Sequence, residues 1–253
     1  MILHIPHSST HIPTEVRSTL VLDDAEIETE ILAMTDAFTE ELFALFGTVR
    51  VVYPVSRLVV DPERFCNDAD EPMAKVGMGA VYMRTSGGNS LRNTLTPAQR
   101  EQLLAMYYRP HHQNLEEAVE QELKHLGNAM LLDCHSFPSK PLPCDKNQGP
   151  NRPDFCIGTD ECHTPPILVE QICDVVRDAG HTIGVNEPYS GTLVPMRFYR
   201  KDHRVWSVMI EVRRDLYMNE SKGAKAFRFG RTQSLVRTIA RTAEKYQSDR
   251  RED

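Results

Sequence analysis

Apolar and polar positions alternate at the start of the chain. Met1 to Ile5 carries enough apolar residues for a short buried strand, which stops at Pro6 because proline cannot donate to a sheet ladder. From Leu22-Asp23-Asp24 to about Phe46 the period changes. Ile27, Ile31, Met34, Phe38, Leu42 and Leu45 recur every three or four residues, which predicts an amphipathic helix closed by Gly47. Val49 to Tyr53 and Leu58 to Val60 read as strands. Asp61 to Arg92 has no sustained period and reads as a long covering loop rich in Gly, Pro, Asn and charge.

Thr96-Pro97-Ala98-Gln99 is a helix start, with Thr as N-cap and Pro at the first position, and the helical pattern runs to Gly127. Asn128 to Asp133 is then a short apolar run, the form of a buried strand in a β-α-β unit, with Cys134-His135-Ser136 at its C-terminal end. Pro138 to Pro153 reads as a loop, Ile157 as a strand residue and Pro166 to Ala179 as a helix. Thr182 to Val185 and Val205 to Val212 read as strands, and a last helix runs from about Lys222 to Tyr246 with Leu235 and Ile239 inward. Alternating strands and helices predict an α/β fold, a mostly parallel mixed sheet flanked by helices on both faces, in a single domain over residues 1–253.

Composition narrows the function. The chain is 40% hydrophobic and 26% charged over 253 residues, which is ordinary for a globular protein with a sizeable core. A net charge of -7 and a pI near 5.8 argue against a nucleic-acid partner and favour a small molecule. No apolar run is long enough to span a membrane and the N-terminus does not read as a signal peptide, so a cytoplasmic setting with no membrane partner is expected. Six cysteines without a Cys-x-x-Cys pair read as free thiols.

Ligands of open α/β sheets collect beyond the carboxyl ends of the strands. Two such ends deliver a histidine, His7 and His135, and neutral imidazole is the commonest metal ligand. A catalytic zinc needs a third ligand. Asp36, at the edge of the first helical stripe, is the preferred carboxylate, with Glu26, Glu28 and Glu30 as competitors. Glu211 lies in the apolar strand V-W-S-V-M-I-E-V, where an unpaired carboxylate is costly. It reads either as an ion pair with Arg213 or Arg214, or as a general base beside a metal-bound water. Arg57, Arg64, Arg84, Arg92, Arg152, Arg197 and Arg213 in or near the loops suggest an anionic substrate. A nucleophilic hydrolase using Ser136 or Cys134 is the rival within the enzyme class, although there is no Gly-x-Ser-x-Gly elbow.

A set of short blocks, in order, carries a resemblance. They are H-I-P-H-S-S from His4, T-D at Thr35 with L-F-A-L-F-G from Leu42, S-R-L-V-V-D-P-E-R from Ser56, R-P-H-H from Arg109, L-L-D-C-H-S from Leu131, N-E-P-Y-S-G from Asn186 and I-E-V-R-R-D-L-Y-M from Ile210. Together they resemble the N-formylglutamate amidohydrolase family, which is similar to zinc-carboxypeptidase and phosphorylase-hydrolase-like α/β hydrolases. The resemblance implies one Zn2+ held by His7, Asp36 and His135, Glu211 as acid/base, and a small anionic N-acyl amino acid as substrate. It also implies Arg57, Asp61, Asn186, Tyr189 and Arg213 as substrate-binding residues, with Asp133 supporting His135. Two loops depart from the family pattern. Ser190-Gly191 stands for a Gly-Gly pair and Asp61-Pro62-Glu63-Arg64 for D-L-N-R; both lie in substrate-facing loops and bear on formylglutamate specificity more than on the metal chemistry, since the histidines and the glutamate are intact. A non-catalytic ligand-binding or regulatory protein on the same fold is the alternative these loops raise.

Overall fold

Six strands form one sheet in a computed structural model that describes residues 1–250. The strands are β1 (Ile2–Ile5), β2 (Val49–Val52), β3 (Ala129–Phe137), β4 (Phe155–Gly158), β5 (Ile183–Val185) and β6 (Val205–Arg213), in the order β2-β1-β3-β6-β4-β5. All neighbouring pairs are parallel except β4 with β6. The helices are α1 (Thr14–Arg17), α2 (Asp24–Met34), α3 (Thr39–Leu42), α4 (Pro97–Leu103), α5 (Arg109–Leu126), α6 (Pro166–Asp178) and α7 (Phe229–Ser248).

Helices cover both faces, as expected. Met130, Leu132 and Cys134 of β3 and Val208 and Ile210 of β6 pack with α6 and α7 through Ile172, Val176, Val236 and Ile239. On the opposite face Ile2, Leu131 and Val205 meet Leu115 and Val119 of α5. Chain order moves from β1 out to β2 and then back past β1 to β3, so the strand order reverses between β1 and β3. Crevices at such reversals are the usual ligand sites of open α/β sheets.

Several elements differ from the pattern reading, each for a physical reason. The stripe from Ile27 to Leu45 is two helices. The backbone leaves α2 at Thr35, the Asp36 N–H donates to the His7 carbonyl at 2.9 Å, and Phe38 adopts a left-handed φ of 66°. Asp36 therefore sits in the break and not on the first helix. Leu58 to Val60 is fully buried but is a turn; Arg92 donates to the Leu58 and Val59 carbonyls in place of a strand neighbour.

The span from Pro97 to Leu126 is one rod with a π-helical turn over Leu104–Tyr108. Pro110 has no N–H to continue an α ladder there, and the Arg109 N–H reaches the Leu104 carbonyl, five residues back. Strand β3 runs on to Phe137, so His135 lies within the strand rather than after it. The last helix begins at Phe229 because residues before it pair as Met218–Asn219 with Ala224–Lys225. Among the described residues no helix is long and apolar enough to cross a membrane.

Candidate active site

Strand register assembles the first group of polar side chains. His4 pairs with Asp133 across β1 and β3, and His135 pairs with Glu211 across β3 and β6. The two-residue period places all four on the face that also carries Leu131 and Val205, near the carboxyl ends of the parallel strands. His7 follows β1, and Asp36 comes from the break after α2, tied to His7 through its backbone. All of these side chains are buried.

Three acceptor atoms meet at this point. Asp36 Oδ2 lies 3.2 Å from His135 Nδ1 and 3.6 Å from His7 Nδ1. One ligand atom from each of the three residues lies within 4.8 Å of the other two. The far nitrogen of each ring is engaged: His7 Nε2 donates to Asp61 Oδ1 at 2.9 Å and His135 Nε2 to Asp133 Oδ1 at 3.0 Å. A carboxylate on one ring nitrogen fixes the tautomer and leaves the other nitrogen as a lone pair. His7 Nδ1 is buried with no hydrogen-bond partner. Two imidazole lone pairs and a carboxylate oxygen repel one another unless a cation or a proton lies between them. The donor set, two nitrogens and one oxygen, fits a divalent metal such as zinc.

Electrostatics favour a lone pair on His7 and, with no cation between them, a proton on His135 that Nδ1 donates to Asp36 Oδ2. Burial, with Arg57 nearby, pushes His7 below the ordinary histidine range, which favours the neutral ring. Burial also opposes charge on His135, but the Asp133 and Asp36 carboxylates outweigh it and hold the ring well above its usual range. Burial opposes ionisation of Asp36 too, yet the two rings and Arg214 hold it well below the usual carboxylate range. Arg214 Nη2 donates to Asp36 Oδ1 at 2.9 Å.

Glu211 stands alone beside this group. Its side chain is buried, its Oε2 has no hydrogen-bond partner, and burial pushes the carboxyl up to about 8. Neither expected ion pair forms. Arg213 pairs with Asp154 at 2.8 Å and Asp215 at 2.7 Å, and Arg214 with Asp36.

A cavity of about 480 Å³ opens onto these residues and is lined by His7, Asp36, Arg57, His135, Tyr189 and Glu211 among others. Three of the expected substrate-binding residues lie elsewhere. Asp61 is fully buried beneath His7, where it accepts from Arg57 at 2.7 Å and from Tyr82, and the Glu63 N–H reaches its Oδ1 at 2.9 Å. Asn186 has a φ of 57° and uses its amide to hold Thr159 at 2.9 and 2.7 Å, which closes a turn. Arg213 is taken up by its two aspartates.

Among the other arginines, Arg92 is buried against the Leu58 and Val59 carbonyls, Arg152 holds Asp145, and Arg197 meets Glu120. Arg84 reaches the Gly88 carbonyl. The rival nucleophiles are poorly placed: Cys134 points into the core on the opposite face, and Ser136 Oγ accepts from Arg214.

The structure adds Glu63, which pattern reading missed, and singles out Arg64 among the loop arginines. Glu63 Oε1 lies 3.2 Å from His4 Nδ1, which donates to Asp133 at 2.9 Å, and burial together with Asp133 pushes Glu63 well above its ordinary value. Arg64 lines the cavity, and its Nε is buried without a hydrogen bond, 3.6 Å from Asp61. The loop carrying both is braced by the rod: Tyr108 donates to the Arg64 carbonyl and His112 to the Pro62 carbonyl, each at 2.9 Å. The only signal for this brace in the sequence is Pro110, which interrupts the helical pattern where the π turn ends.

Comparison with known proteins places the arrangement. A crystal structure of N-formylglutamate amidohydrolase from Ralstonia eutropha JMP134 has a TM-score of 0.83 at 24% identity, covering 97% of this chain and 94% of that one. A gene product of Agrobacterium tumefaciens has a TM-score of 0.66 at 18% identity, covering 98% and 91%. At such identities these likenesses show the fold. No curated protein is similar enough in sequence to count as a relative. The family model described as N-formylglutamate amidohydrolase matches residues 1–218, which contain every residue of the cavity described above, and the chain belongs to that family.

Proposed function

We propose that this chain is a metal-dependent amidohydrolase that cleaves the amide bond of an N-formyl or other N-acyl amino acid. The whole chain serves as one catalytic domain in this reading. The observation that carries it is the convergence of His7 Nδ1, His135 Nδ1 and Asp36 Oδ2, each ring backed by a carboxylate, beside a buried and unpaired Glu211. Family membership supports the amide as the bond cleaved.

His7, Asp36 and His135 hold the ion in this scheme. A divalent metal bound there supplies a positive charge that lowers the pKa of water and polarises the scissile carbonyl. Glu211 acts as the base. Its basicity, raised by burial, suits it to take a proton from the attacking water and return it to the leaving nitrogen as the C–N bond breaks. The products are the acyl acid and the free amine. Asp61 and Asp133 keep both rings in the tautomer that faces the ion.

Arg64 holds the substrate carboxylate. Arg57 and Arg214 lie at the cavity too, but each already faces a buried carboxylate, Asp61 at 2.7 Å and Asp36 at 2.9 Å. The Arg64 guanidinium makes no hydrogen bond of its own among the described residues, so its donors remain for a ligand.

The deciding experiment combines elemental analysis with an assay on N-formyl amino acids. Hydrolysis that stops on chelation and returns with zinc supports the reading. Hydrolysis indifferent to both chelator and His7→Ala overturns it.

A further inference from the structure

The cavity has one wall that the proposed chemistry does not use. Met34, Met73, Met78 and Leu142 line it and pack together as part of a single apolar cluster. The wall begins beside the reacting centre, because Met34 lies two residues before Asp36, and the carbonyl of neighbouring Ala33 accepts from Arg214 at 2.6 Å. Thioether side chains are flexible and polarisable, and they adapt to apolar ligands.

Charge in the cavity is already mostly matched. Arg57 and Arg214 are taken by Asp61 and Asp36, which leaves the part-buried Arg64, 3.6 Å from Asp61 but without a hydrogen bond, as the cation with donors to spare. His112 also lines the cavity, but burial pushes it down to about 4, so it is neutral at pH 7. Lys146 is exposed, where a carboxylate pair gains little. Glu63, Asp145 and Asp160 add carboxyl groups to the lining. A substrate with two carboxylates would find one well-placed guanidinium and would set its second charge against methionines, at a desolvation cost.

We infer that the substrate is a singly charged N-formyl amino acid with an aliphatic or thioether side chain, its carboxylate on Arg64 and its side chain on the Met34, Met73, Met78 and Leu142 wall, and not a dicarboxylate. This rests on the hydrolase reading above, and specifies which amide that site accepts. The bond chemistry is unchanged: water adds across the formyl C–N bond, giving formate and the free amino acid. The enzyme would then act downstream of a reaction that releases N-formylated apolar amino acids.

The test uses the zinc-loaded full chain with N-formylmethionine, N-formylleucine and N-formylglutamate. The apolar substrates are expected to show kcat/KM at least about tenfold above N-formylglutamate, the scale at which pockets discriminate small side-chain differences. Met73→Lys, which places a cation on the half-buried edge of the wall, should shift the ratio toward N-formylglutamate; an unchanged ratio removes the wall from substrate selection.

Preference for N-formylglutamate in the unmodified chain overturns the inference while leaving the hydrolase reading intact, and loss of that preference in Lys146→Ala would identify the second cation. If no amide is hydrolysed, the hydrolase reading fails separately. Equilibrium binding to Glu211→Gln then decides the subsite: tighter binding of N-formylmethionine than of N-formylglutamate supports it, and equal, reversed or undetectable binding overturns it.

Discussion

His135 and Glu211 are direct partners across the parallel β3–β6 pair, and both side chains project from the same face of the sheet. The register that fixes a ring beside the three-acceptor cluster thus fixes a carboxyl next to it. Neither depends on a flexible loop, and sites built on strands hold geometry better than sites on loops.

Glu211→Gln should separate binding from chemistry. The amide keeps the shape and cannot take a proton, so metal content and fold should persist while kcat falls by about 10²- to 10⁴-fold, the usual worth of a general base. Elemental analysis and a steady-state assay on the same preparation check it. A variant with unchanged kcat would remove Glu211 from proton transfer.

The same residue makes a pH prediction for the metal-free protein. Burial raises the folded carboxyl from 4.5 to about 8. Between those values the unfolded chain has released the proton and the folded chain keeps it, so Glu211 lowers stability as pH rises through this window, by an amount on the order of a few kcal/mol. Below 4.5 both states are protonated and the contribution vanishes. Metal-free Glu211→Gln should therefore gain Tm over the unmodified protein at pH 8 and show little difference at pH 4.5. Equal differences at both pH values would contradict the burial argument.

Much of this was legible in the chain. The strands carrying His4, Asp133, His135 and Glu211 are apolar runs, and an acid inside V-W-S-V-M-I-E-V marks a buried charge that needs a reason. Asp36 reads as part of a continuous helix, because the stripe from Met34 to Phe38 looks unbroken while the backbone turns between them. Asp61, Asn186 and Arg213 were given a role by motif alone; their hydrogen bonds are long-range or belong to turns, and spacing along a chain does not report those. Glu63 and Arg64 sit in a segment without period, and their placement depends on Tyr108 and His112 some 40 to 50 residues away.

The two supporting carboxylates should matter almost as much as the ligands. Asp61→Asn and Asp133→Asn keep the shape but weaken the hydrogen bonds that orient His7 and His135, and each should reduce zinc affinity about 10- to 100-fold. Competition with a chromogenic chelator measures this. Asp61→Asn should also cost stability, because it leaves the part-buried Arg57 without its partner. An Asp133→Asn protein with unaltered zinc affinity would show that the His135 tautomer is set by something else.

Arg64 supplies the last prediction. A hydrogen bond to a charged group is worth about 1.5–3 kcal/mol, so Arg64→Ala should lower kcat/KM by roughly 10- to 100-fold, with the loss mainly in KM because the carboxylate is held alike before and during reaction. Arg64→Lys should recover part of it, since lysine keeps the charge and loses the planar fork. The brace offers an independent check. Tyr108→Phe removes the hydroxyl that donates to the Arg64 carbonyl without touching the guanidinium, and should raise KM in the same direction by a smaller factor. If Arg64→Ala instead lowers kcat at constant KM, the guanidinium acts on the transition state and the substrate carboxylate must be held by another cation, with Arg57 the nearest in the loop.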